Sequence, residues 1–154
     1  MFTVLSAGLI KRRSKKRRRN RKYRLKNAVK GSYRTIPTRY VPSSLSSKDR
    51  IKQLRSIINK VKRPYLKSFK SKKSGWTAKF HKKYGKQSIV WISKNLIRME
   101  GIKQIRKKGI AAYYTSGSRP NQTPQSWWKA RLYSVILGGP ARRVDKNIWR
   151  KYRI

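Results

Sequence analysis

The sequence predicts a mainly α fold: a small helical domain behind a long, basic, extended N-terminal arm. Three observations predict it. Apolar residues recur at helical spacing in several stretches of residues 46–154. Twelve of the sixteen residues at 11–26 are Lys or Arg, and no apolar period runs through them, so they read as a solvated or anion-bound arm. The chain of 154 residues carries 45 Lys and Arg against three acids, Asp49, Glu100 and Asp145, a formal net charge of +42. Such a chain repels itself and has almost no carboxylates to relieve the repulsion. It needs an external polyanion to be held by: nucleic acid, an acidic protein surface or an anionic membrane.

Composition bounds the rest. The apolar fraction of 36% is below the globular norm of about 45–50%. Five Trp and nine Tyr are nevertheless more than a pure charge-neutralising tail holds, so a small core is expected beside the arm. No cysteine is present, which excludes disulfides, thiolate metal sites and a Cys nucleophile. The apolar run Met1–Ile10 precedes its positive charge, the reverse of a secretory signal, and is too short to span a bilayer. An organelle transit peptide is a minor alternative. Phe2, Val4, Leu5, Leu9 and Ile10 read instead as an anchor that packs on a neighbour.

Residues 1–45 therefore form the arm, its anion-binding residues being Lys11, Arg12, Arg13, Lys15, Lys16, Arg17, Arg18, Arg19, Arg21, Lys22, Arg24 and Lys26. Residues 27–45, with Gly31, Pro37 and Pro42, read as an extended connector that touches a surface through Tyr33, Ile36 and Tyr40. The helical domain, residues 46–154, opens at Ser46, which has capping-box spacing to Asp49. Ile51, Leu54, Ile58 and Val61 then share one face, and Pro64 is expected to end that helix. Residues 65–88 read as an irregular basic segment. Its Trp76, Phe80 and Tyr84 either stack on bases or, by the favoured reading, pin the segment to the core.

Ile89, Ile92, Leu96 and Met99 mark the next helix. Glu100-Gly101 suggests a break, Ile102 and Ile105 a second short helix, and Gly109 its C-terminal cap. Residues 110–122 read as a structured turn. Within it, Gly117, Ser118, Arg119, Pro120 and Asn121 form a motif that can meet a phosphate, although its structural role comes first. Thr123-Pro124 starts a helix that is apolar over most of its circumference, the expected centre of the domain. Gly138-Gly139 ends it. Pro140 opens the last helix, with Val144, Ile148 and Tyr152 on one face. Asp145 is expected to pair locally with Arg142, worth about 0.3–0.5 kcal/mol if exposed.

The residues argue against an enzyme. General acid–base work needs placed carboxylates or histidines, and here three acids lie far apart with the single His81 among lysines. No metal-ligand spacing exists, and no serine has an evident base. No catalytic residue, metal, cofactor or small-molecule ligand is expected.

Several stretches carry a resemblance: SSKDR at 46–50, KKG at 107–109, AYYTSGSRPNQTPQSW at 112–127, ARLYSVILGGPARRVD at 130–145, and Ile148. Together they resemble a small basic domain found in proteins of nucleocytoplasmic large DNA viruses, among them chlorella viruses and mimivirus relatives. The resemblance covers roughly residues 43–150 and is most specific over 112–145. Trp128 stands where a small residue is usual. Pro140-Ala141-Arg142-Arg143 stands where Lys-Ala and small residues are usual. The resemblance implies a virion or viral-factory protein and carries over no catalytic role.

The resulting expectation is a structural virion protein, a minor capsid (cement) protein on the inner face of the shell. Its partners are then the major capsid protein, other minor capsid proteins and the anionic inner membrane. The alternative is a non-specific nucleic-acid-binding protein that condenses or packages viral DNA. A ribosomal protein, equally basic, is a distant third.

Overall fold

The computed structural model describes the backbone of residues 22–26 and 33–154, and side chains from Ile36 onward. The fold is mainly helical. Two strands, β1 (Lys22–Lys26) and β2 (Tyr33–Pro37), pair antiparallel in the register Lys22 to Pro37 through Lys26 to Tyr33. Stretches expected as solvated arm and connector thus satisfy one another's backbone groups. Seven helices follow: α1 (Ser47–Ile58), α2 (Gly75–Tyr84), α3 (Ile89–Asn95), α4 (Met99–Ser116), α5 (Pro124–Ile136), α6 (Pro140–Val144) and α7 (Lys146–Tyr152).

The body begins earlier than the sequence suggests. Ile36, Tyr40, Val41 and Leu45, placed in the extended connector of the arm, are buried with Ile57 and Leu66 in a small cluster. The larger cluster joins Phe80 of α2, Ile92 of α3, Ile102 and Ile105 of α4, Leu132 and Val135 of α5 and Ile148 of α7. As expected, α5 is central. Thr123 caps it by accepting from Ser126 N–H at 3.1 Å, and Ser126 returns the bond to Thr123 N–H.

Of the α1 face expected to point inward, only Leu54 packs against the core. Ile51, Ile58 and Val61 are exposed, and Asp49, Gln53, Ser56 and Ile57 are buried. Hydrogen bonds explain the inversion. The Gln53 amide donates to the carbonyls of Tyr40 at 3.0 Å and Ser118 at 3.1 Å, so a polar face satisfies two loops that would otherwise bury bare acceptors. Pro64 does not end this helix. The chain reverses at Lys60 (φ 55°), where Val61 N–H reaches Ser56 O and Lys60 N–H reaches Ile57 O. That is a Schellman closure with lysine in the position glycine usually takes.

Three further expectations change. Residues 75–84, read as irregular, are helical and capped by the Ser74 hydroxyl. Gly109 is no cap: α4 continues to Ser116, and Gly117 (φ 93°) follows it. The break expected at Glu100-Gly101 falls earlier, at Leu96–Arg98, where the C-terminus closes it through Arg98 N–H to Tyr152 O (2.8 Å) and Ile154 N–H to Leu96 O (3.2 Å). The last helix is two short ones meeting at Asp145, and Val144 is exposed.

Candidate polyanion-binding surface

The surface takes its sign from where the acids go. Asp145 is buried, and Arg131 grips it with two parallel bonds, Nε at 2.7 Å and Nη2 at 2.9 Å. Lys108 Nζ approaches it at 3.5 Å. The expected partner, Arg142, instead donates to the carbonyls of Val135 and Ile136, closing the end of α5. Its guanidinium also lies 4.4 Å from the Trp149 ring centre. Asp49 is covered as well and accepts from Ser68, from its hydroxyl at 2.7 Å and its N–H at 3.0 Å. These bonds, the hydroxyl's first, hold the Asp49 carboxyl below its ordinary 3.8. Of the three acids only Glu100, in the first turn of α4, is exposed. Among the exposed charged side chains of the described body, only Glu100 is acidic.

One arginine is structural. Arg63 is buried between α1 and the end of α4. It donates to the carbonyls of Ser56 and Tyr113, each at 2.7 Å, and to the Ser118 hydroxyl at 3.2 Å. The Tyr113 hydroxyl accepts from Arg63 N–H at 2.9 Å and donates to Gln122 O at 2.8 Å. Burial raises the Tyr113 pKa above its ordinary 10.0.

The basic surface is indented between α2 and α5. An open cleft of about 640 Å³ lies there, bordered by Lys72, Lys73, Lys86 and Lys129 and by the hydroxyl residues Thr77 and Ser126. The capped starts of α2 and α5 meet its rim at Ser74 and Thr123, so the positive ends of two helix dipoles lie beside it. Tyr133 and His81 also line it.

The residues singled out from sequence fall into three groups. Of the arm, Lys11 to Arg21 lie outside the described residues, as does the apolar anchor of Phe2, Val4, Leu5, Leu9 and Ile10; Lys22, Arg24 and Lys26 lie on β1. Trp76, Phe80 and Tyr84, four residues apart, share the inward face of α2 and pack into the main core. Phe80 is fully buried and stacks on Tyr133 at 4.2 Å, so of the two readings of these aromatics the packing one describes it.

The 117–121 turn is structural. Ser118 and Pro120 are buried and Arg119 is exposed. Asn121 (φ 56°) uses its side chain to accept from Leu66 N–H and donate to the carbonyls of Leu66 and Phe69. The sequence reading missed the cleft. Its available signal was two helix starts, Ser74 and Thr123-Pro124, each close to lysines.

Among the described residues no group of three His, Cys, Asp or Glu can hold a metal ion, and no helix is long and apolar enough to cross a membrane. Residues 37–149 match the model of DUF5824, a family of unknown function, and the chain belongs to that family. No curated protein and no solved structure matches it.

Proposed function

We propose that this chain is a non-catalytic structural protein of a large double-stranded DNA virus particle. In this reading it is a minor capsid (cement) protein on the inner face of the shell. There its arm and basic body grip acidic capsomer surfaces and the anionic inner membrane. The observation that carries the reading is the sign of the surface: Asp49 and Asp145 are turned inward, which leaves Glu100 as the one exposed acid among the lysines and arginines of the described surface. A surface of one sign is held by a partner of the other. The resemblance over residues 43–150 supplies the viral setting.

The cleft favours a second reading, non-specific binding of viral DNA. Stepwise disruption of purified particles, followed by mass spectrometry of this chain, separates the two. The cement role expects release with shell or membrane fragments in a nuclease-resistant form. Release only with DNA, or after nuclease, selects the second reading. Absence from the particle overturns both.

A further inference from the structure

We propose that the cleft between α2 and α5 is a phosphate site that takes the phosphodiester backbone of a nucleic-acid strand, with the Tyr133 hydroxyl as the donor at its floor. The inference rests on the second reading, binding of viral DNA, and gives it a specific place.

Tyr133 carries the argument. Its side chain lines the cleft yet the residue is only 5% exposed. Phe80 stacks on the ring, and His81 meets it edge-on at 5.9 Å, so the ring has little freedom to turn away. Among the described residues the hydroxyl has no hydrogen-bond partner. The sealed polar atoms without a partner are Arg50 Nε, Gln53 Oε1 and Trp128 Nε1; the Tyr133 oxygen is not one of them, and the residue lines the cleft. A tyrosine buried to this degree usually has its hydroxyl satisfied by protein. Here the donor is left for a guest.

The surroundings define the guest. The cleft has four lysines, hydroxyls and two helix starts, and no carboxylate. Lysine offers donors and no acceptor, and helix starts present N–H groups to anions. Burial holds the Tyr133 proton beyond its ordinary pKa of 10.0, so the phenol stays a donor at neutral pH. The guest is therefore an oxyanion. Its carrier follows from depth. A flat bilayer or a folded acidic surface meets the rim lysines but does not descend to a phenol covered this far. A strand threading an open cleft brings a phosphate down to it.

The test uses the full chain and three probes: a short fluorescent oligothymidylate, a long DNA duplex and phosphatidylserine vesicles, each titrated over a range of salt. Tyr133→Phe removes the hydroxyl and keeps the stack. It should weaken oligothymidylate binding by about tenfold or more, the loss of one hydrogen bond to a charged group, and leave vesicle binding unchanged. Lys129→Gln should weaken oligothymidylate binding and lower its salt slope by about 0.7. Lys129 is exposed, so this variant decides the matter if Tyr133→Phe fails to fold. Wild-type affinity in both variants overturns the site while leaving general polyanion binding intact. Equal weakening on vesicles moves the site to lipid phosphate and overturns the nucleic-acid assignment. A wild-type chain that binds none of the probes overturns the underlying reading as well.

Discussion

Gly109 and Trp128 bring α4 and α5 into backbone contact: a Cβ on Gly109 would lie 2.7 Å from Trp128 Cβ and 2.9 Å from Trp128 Cα. The second distance is to main chain, which cannot rotate aside. Gly109→Ala should therefore push the two central helices apart and cost about 1–3 kcal/mol, the usual penalty for overpacking a filled core. Urea denaturation reads this directly, and a variant as stable as wild type would contradict the close approach.

Asp145→Asn should be among the most damaging single changes. It removes the charge that Arg131 holds in two bonds and that Lys108 approaches. Breaking a fully buried pair costs about 3–5 kcal/mol. The loss here should fall near the low end, because the Arg131 side chain keeps 18% exposure. Arg142→Gln should not reproduce the loss of the ion pair, since Arg142 bonds carbonyls instead. Equal coupling of Asp145 to both arginines in double-mutant cycles would refute this division.

Acid stability should report on Asp49. Its folded pKa is depressed, chiefly by the Ser68 hydroxyl and then by the Ser68 N–H. The contribution is whole above the unfolded value, near the ordinary 3.8. It is lost as pH falls through the folded value, because the native state must then take up a proton it binds poorly. Ser68→Ala should flatten the loss of stability as pH falls from the ordinary 3.8 toward the folded value. Parallel acid limbs for wild type and variant would show that Ser68 does not set this carboxyl.

Phe80→Ala tests whether α2 uses its aromatics inward. The ring is fully buried against Tyr133, so truncation should cost about 3–5 kcal/mol in stability. A base-stacking role expects the opposite pattern, weaker single-strand binding with the thermal midpoint unchanged.

Where sequence reading succeeded, the cause was local. The start of α5 is written in Thr123-Pro124, its end in Gly138-Gly139, and the start of α1 in Ser46. Where it failed, the deciding partner was distant. Gln53 is buried because a carbonyl 65 residues away, at Ser118, accepts from it. Gly109 followed by nothing but sequence looks like a cap, and only Trp128 reveals a contact. Asp145 chose Arg131, 14 residues upstream, over the nearer Arg142. For α2, the four-residue spacing of Trp76, Phe80 and Tyr84 was visible but was outweighed by the surrounding lysines. The cleft was the least legible feature, since it joins side chains from the 71–74 loop, α2, Lys86 and α5 that share no local pattern.

The charge that dominates this chain is carried by residue type and persists when the fold is lost. A polyanion that sees only charge binds the denatured ensemble too, and ligand bound to both states gives little net stabilisation. The cleft is different, because Tyr133, Lys129 and the two helix starts meet only in the native arrangement. Protection against unfolding by a short oligonucleotide is thus a signature that bulk electrostatics does not imitate.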